Sequence, residues 1–264
     1  MRLQVLISTM HQTDHSLLDK MNIQTDAVVV NQCDRNEIEV FSYKGHTVHW
    51  LSLRERGVGL SRNTALMRAD ADIVLFADDD VTYEDGYGER ILSEFRRHPK
   101  SDVCVFNVPS TCTDPRQKDY VAPKWKRLYL LNCFRHGTFR IAARRTQILK
   151  KNIFFTLLFG GGAKYSAGED SLFLADCIRK GLRSYESAEV IGHVSHEEST
   201  WFKGYTDKYF LDKGAFYACF SKRIPYLWCL QFAVRRKGLY GGEKSFREAC
   251  RLMRQGIRQF KASK

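Results

Sequence analysis

Short apolar runs recur along the first hundred residues, and polar residues cut each one before it reaches helical length. LQVLIS at 3–8 and AVVVN at 27–31 are continuous and rich in β-branched residues, and HTVHWLSL at 46–53 alternates more loosely. DIVLFA at 72–77 and DVCVFNV at 102–108 repeat the pattern. Runs of this length, bounded by turn residues, predict strands. Between them GVGLSRNTALMRA at 57–69 and GERILSEFRRH at 88–98 place apolar residues three and four apart, and Pro99 stops the second. These spacings predict helices. Strands alternating with helices give βαβ units, so the expected fold is α/β, a mostly parallel sheet flanked by helices. Residues 109–127 read as a loop. GTFRIAARR at 137–145 reads as a strand feeding a helix. GEDSLFLADCIRKG at 168–181 reads as a helix with Gly181 in the stop position.

Composition keeps this picture within ordinary globular bounds, with 44% hydrophobic and 27% charged residues in 264. No run of 18 apolar residues occurs, which argues against a membrane-spanning helix. The first residues lack a small-residue cleavage site and read as a strand, not a leader. Eight cysteines are scattered without a CxxC pair, so reduced thiols and a cytoplasmic location are expected.

Charge changes the picture more. Residues 203–264 hold fifteen Lys and Arg against four acids, which leaves the other 202 residues almost neutral although the chain as a whole carries +12. The expected division is a domain at 1–202 and a basic helical extension at 203–264. In the extension IPYLWCLQFAV at 224–234 is bracketed by cations and suits an interfacial segment. From Lys244 onward Arg247, Arg251, Arg254, Arg258 and Lys261 form one stripe, and Phe246, Cys250, Met253, Ile257 and Phe260 form the next. A basic amphipathic helix reads as a membrane-surface element, or it packs its apolar stripe on the domain and leaves the cations solvated. The tail lacks regular aromatic–basic interleaving for stacking bases, so no nucleic-acid partner is expected.

The chemistry concentrates where the apolar run 72–77 meets Asp78, Asp79 and Asp80. Ligands of open α/β sheets bind beyond the carboxyl ends of strands. In an extended chain Asp78 and Asp80 share a face while Asp79 points away. Two carboxylates on one face are half of a hard-cation site, which Mg²⁺ or Mn²⁺ completes with water and substrate phosphate. A second acidic cluster, Glu169–Asp170, opens the helix at 168–181 behind the glycine-rich FGGGAKYSAG at 159–168. Glycines there permit close approach to a ligand, and acids are favoured at a helix N-terminus in any case.

In order and spacing, VLISTM (5–10), VVVNQCD (28–34), GVGLSRNTALMRADADIVLFADDD (57–80) and FGGGAKYSAGEDSLF (159–173) resemble the family 2 glycosyltransferases of GT-A fold. The resemblance covers roughly residues 3–200. It implies an inverting, metal-dependent transfer from a nucleotide-sugar, UDP first among the nucleotides, to a saccharide or lipid-linked acceptor in cell-surface polysaccharide synthesis. It implies Asp80 and Asp78 as metal ligands for Mn²⁺ or Mg²⁺, with His196, or else His193, as a further ligand. Thr9, Asp34, Arg62, Asp78 and Asp79 would contact the donor, and Gly161, Gly162 and Glu169 the acceptor. Asp170 would be the base that takes the acceptor's proton, with Glu169 beside it. Where the family commonly shows Pro-Thr-Tyr-Asn and Asp-Asp-Gly-Ser at the first two strand ends, this chain has Ser8-Thr9-Met10-His11 and Asn31-Gln32-Cys33-Asp34. The expected location is cytoplasmic and peripheral, on the inner face of the cell membrane. Two other classes compete. Nucleotidyl transfer also uses paired carboxylates, but STMHQTDH after the first strand lacks a Gly-rich phosphate loop. A non-enzymatic polyanion binder would leave the ordered acidic motifs without a purpose.

Overall fold

A computed structural model describes residues 1–111, 120–195 and 204–263. Its centre is a nine-stranded sheet. In chain order the strands are β1 (Leu3–Met10), β2 (Asp26–Gln32), β3 (Glu37–Tyr43), β4 (His46–Leu53), β5 (Ile73–Asp78), β7 (Val103–Asn107), β8 (Lys126–Arg127), β9 (Ile141–Arg144) and β10 (Ser184–Val190). They lie side by side as β3-β4-β2-β1-β5-β9-β7-β10-β8. Six point the same way, because β4, β2, β1 and β5 pair in parallel, β7 pairs in parallel with β10, and β9 sits reversed between β5 and β7. The reversed strands are β3, β8 and β9. A small second sheet pairs β6 (Val81–Tyr83) with β11 (Gly192–Val194).

The central strands are buried on both faces. Val5, Leu6, Ile7, Val28, Val29, Val30, Leu75 and Phe76 are fully shielded, which is why their sequence reads as continuous apolar runs. The helices α1 (Leu17–Lys20), α2 (Val58–Arg68), α3 (Tyr87–Arg97), α4 (Arg145–Lys150) and α5 (Glu169–Arg179) accompany the sheet. Gly181, at φ +85°, ends α5: its N–H and that of Leu182 return to the carbonyls of Ile178 and Cys177.

The strand β3 was not legible from hydrophobic pattern, because its Ile38 and Val40 are exposed. It is an edge strand hairpinned to β4, and the register closes on Tyr43 opposite His46. The two residues between, Lys44 and Gly45, both have positive φ (49° and 82°). That is the turn geometry two-residue hairpins favour.

Topology positions the site. From β1 the chain moves through α1 to β2 and then β4, and α2 carries it back past β1 to β5 on the other side. The order reverses between β1 and β5, and in open α/β sheets ligands bind beyond the carboxyl ends of the strands at such a point.

The chain divides into two compact units, Met1–Leu157 with Glu169–Glu198, and Leu158–Gly168 with Ser199–Lys264. The sequence placed a boundary at 202/203 and left 158–168 with the sheet; here that segment packs with the C-terminal helices. Ser166 donates through N–H and Oγ to Asp212 Oδ2 at 3.0 and 2.7 Å. Phe159 contacts the rings of Tyr165, Phe216 and Phe260.

The second unit holds α6 (Asp207–Phe220), α7 (Pro225–Arg235), α8 (Lys237–Tyr240) and α9 (Phe246–Ala262). A capping box between Ser245 and Glu248 starts α9. The helices α6 and α9 cross at glycines. A β-carbon on Gly214 would lie 2.1 Å from Met253 O, and one on Gly256 would lie 2.0 Å from Leu211 O. The inward face of α9, Met253, Ile257 and Phe260 included, is buried in this unit, so most of its apolar stripe is used within the fold. Among the described residues no helix is long and apolar enough to cross a membrane.

Candidate active site

The strand β5 ends at Asp78, and Asp79 and Asp80 lie in the turn that follows, so the alternation expected of an extended chain does not apply to them. Asp78 Oδ1 accepts from Arg62 Nη2 at 2.7 Å. Asp79 Oδ2 accepts from Thr9 Oγ1, at the end of β1, at 2.6 Å. The backbone carbonyl of Asp80 accepts from Ser195 N–H at 3.0 Å, just past β11.

Arg62 is the centre of the arrangement. It is buried on α2, only 4% exposed, where a cation without partners would be costly. Its second nitrogen, Nη1, donates to Glu169 Oε1 at 2.9 Å. One guanidinium therefore ties the end of β5 to the first residue of α5. Burial works against its charge, but Asp78 and Glu169 outweigh that effect and hold it well above its ordinary range. The next residue fixes the packing. Asn63 Nδ2 donates to Phe155 O at 2.9 Å, and Asn63 Oδ1 accepts from Phe155 N–H at 2.8 Å. This clamp holds the Phe155 ring 5.4 Å from the guanidinium carbon. Gly59 makes the approach possible, since a β-carbon there would meet Thr156 O at 2.5 Å.

Asp170 follows Glu169 in the first turn of α5 and is half-buried. Burial, then the neighbouring charge of Glu169, pushes its carboxyl up to about 7, while Ser171 N–H and Arg62 pull the other way. A carboxyl near neutrality is suited to taking a proton at physiological pH.

Other expected positions lie further out. Thr9 is buried, and its hydroxyl is committed to Asp79 while it accepts from Gln12 Nε2 at 3.0 Å. Asn31 Oδ1 accepts from Gln12 N–H and its Nδ2 donates to Gln12 O, which joins the ends of β1 and β2. Asp34 is exposed, and its carbonyl, not its carboxylate, is held by Arg54 Nε and Nη2 at 2.9 and 2.6 Å. His193 is turned to Glu84, its Nε2 lying 3.1 Å from Oε1, and not to the aspartates. His196 lies outside the described residues. Gly161 and Gly162 belong to the second unit, where Gly162 has φ +77°.

Among the described residues no group of three or more His, Cys, Asp and Glu converges to hold a metal ion. With Asp78 partly engaged by Arg62, the strand end offers oxygen donors for part of a shell only. That fits a hard divalent ion whose shell is completed by substrate phosphate and water, and does not fit an all-protein cage.

A family model described as glycosyl transferase family 2 matches residues 8–154, which run from the end of β1 to just before Phe155 and so contain Thr9, Arg62 and all three aspartates. The chain belongs to that family. The α/β sheet of this glycosyltransferase is similar to that of S. aureus TarS 1-349. The TarS structure in complex with UDP-GlcNAc is 17% identical with a TM-score of 0.63, and the likeness covers 92% of this chain and 74% of that one. The complex with UDP is 15% identical with a TM-score of 0.62 and the same coverage. Identities this low speak to the fold. A search of curated proteins finds no match.

Sequence reading of the glycosyltransferase missed Asn63, Phe155 and Gln12. A signal for Asn63 was present, as the polar neighbour of Arg62 on a helix otherwise lined with small and apolar residues. Nothing local marks Phe155, which lies 92 residues from the side chain that clamps it.

Proposed function

We propose that the enzyme is an inverting glycosyltransferase that moves a sugar from a nucleotide-sugar to a saccharide or lipid-linked acceptor in cell-surface polysaccharide synthesis. The observation that carries this reading is the ion-pair chain Asp78–Arg62–Glu169 through the buried Arg62, which joins the donor-side strand end to the helix that bears Asp170. Departure of a nucleoside diphosphate and deprotonation of an acceptor must happen at one anomeric carbon, and this link holds the two carboxylate groups in fixed relation.

Asp170 takes the acceptor hydroxyl's proton as the oxygen attacks. No side chain is assigned as a covalent nucleophile, so displacement is direct and inverts the anomeric centre. Glu169 keeps Asp170 in register through Arg62 and orients an acceptor hydroxyl, and the backbone at Gly161 and Gly162 is the further acceptor contact. Asp80 and Asp78, with His196, are the residues that would hold Mn²⁺ or Mg²⁺. When bound, such an ion supplies Lewis-acid stabilisation of the departing diphosphate. Thr9 positions Asp79 toward the donor, and the Asp34 carboxylate faces solvent, free for a base or ribose. UDP is the first nucleotide to test, because TarS binds UDP and UDP-GlcNAc in the structures this fold is similar to. A lipid-linked acceptor would set the enzyme peripherally on the inner face of the cell membrane.

Calorimetry of UDP with and without Mn²⁺ tests the donor half. Wild type should bind UDP more tightly with Mn²⁺, and Asp80→Asn should lose most of that gain while remaining folded. A variant with undiminished coupling removes Asp80 from the donor site.

A further inference from the structure

Helix α7 turns an apolar row outward. Tyr226, Leu227, Leu230 and Val234 are 45%, 59%, 47% and 62% exposed, while Cys229 and Ala233 take the inward side. Exposed apolar residues are ordinary when scattered, but four on one face of an eleven-residue helix form a patch. Alongside runs the basic row of α9. Leu230 shares a groove of about 590 Å³ with Arg247, Arg251, Arg254 and Arg258. At the far end of the row Lys261 Nζ lies 5.7 Å from the centre of the Tyr226 ring. The apolar and cationic rows thus stand side by side on two neighbouring helices.

We propose that this α7–α9 face docks the enzyme on the anionic leaflet of a bilayer. Tyr226, Leu227, Leu230 and Val234 enter the headgroup layer, and the four arginines of α9 meet lipid phosphates. The arrangement differs from a single amphipathic helix lying in the interface. The inward stripe of α9 is spent on the fold, so α7 supplies the apolar contact and α9 the charge. Charge complementarity selects the occupant. A second copy of the same face would bring arginine against arginine, and a soluble anion would leave the apolar row in water. A surface that is apolar below and anionic at its phosphates satisfies both rows at once. The inference rests on the peripheral location proposed above, and not on the donor chemistry.

Vesicle co-sedimentation of the full chain, without donor or acceptor, tests it. The protein should pellet with phosphatidylcholine–phosphatidylglycerol vesicles and stay in solution with phosphatidylcholine alone. Binding should weaken as salt shortens the screening length from about 10 Å at 0.1 M to about 3 Å at 1 M. Changing Arg247, Arg251, Arg254 and Arg258 together to Gln should lower the partition coefficient at least about tenfold, since each cation near such a surface contributes. Leu227→Gln with Leu230→Gln and Val234→Gln should also release the protein, although its charge is unchanged. All seven side chains are exposed, so circular dichroism of both variants should match wild type. Asp170→Asn, which disables transfer, should pellet like wild type, so a fault in the catalytic reading would leave this result intact. The inference is overturned by equal binding to both vesicle types, by binding to neither, or by wild-type binding of the quadruple arginine variant.

Discussion

Asp170 has two carboxylate-specific consequences that can be measured separately. As the proposed base it must be ionised, so kcat/KM should rise with pH through about 7, and Asp170→Asn should flatten that rise. The same change should lower kcat by roughly 10²–10⁴ while leaving donor affinity near wild type. The second consequence is for stability. The folded carboxyl holds its proton to about 7, against an ordinary value of 3.8. A group raised in this way favours the folded state below its unfolded value, and the contribution is lost as pH rises through the folded one. Asp170→Asn removes the buried charge, so it should raise the melting temperature relative to wild type more at pH 8 than at pH 5. At this scale much was legible in the chain. Three aspartates closing an apolar run marked the strand end, although the strand stops at Asp78 and the next two lie in a turn. The bond from Arg62 to Glu169 was not legible, because it spans 107 residues and depends on where α2 and α5 meet.

At the scale of elements, the strands buried on both faces and the helices with a clear apolar face were legible, within a residue or two at their ends except for β9, which begins at Ile141 and not at 137 because residues 138–140 form a 3-10 turn. Several elements escaped, among them β10 and β8, which falls in the expected loop at 109–127; another, β3, belongs to the sheet by hydrogen bonding to β4 and not by burial. Its sequence signal was the Lys44-Gly45 turn, which pattern counting does not weigh. The crossing of α6 and α9 shows a different dependence on sequence. Each helix offers a glycine where the other's backbone passes, at Gly214 and Gly256. A side chain at either place cannot be accommodated by rotating a neighbour, because the obstacle is a carbonyl. Gly256→Ala should destabilise the protein by about 1–3 kcal/mol, as overpacking commonly does. Urea unfolding with an unchanged slope would measure it. An exposed alanine substitution on the same helix, Gln259→Ala, should have almost no effect.

For the molecule as a whole, charge was legible, the expected boundary at 202/203 lies close to the one at 198/199, and the place of residues 158–168 was not legible. The contrast between a nearly neutral body and a basic tail can be counted directly from the residues. Nothing in FGGGAKYSAG, at 159–168, marks it for the helical unit; that depends on Asp212 and on Phe216 and Phe260, which lie at least 44 residues further along. A chain cut after residue 202 would keep the sheet, the aspartates and Asp170 but strip these partners from the segment that leads into α5. It should bind UDP and lack transfer, which product analysis would show, whereas full transfer by the fragment would separate the tail from catalysis. Inheritance follows the same line. Gene fusion can exchange a domain freely when its boundaries coincide with a single joint in the chain. Here the helical unit is woven from two stretches, and one of them adjoins α5. A lineage that replaced its tail by recombination at one breakpoint would have to rebuild the seat of residues 158–168 as well, so tail and glycine-rich segment should evolve as a pair.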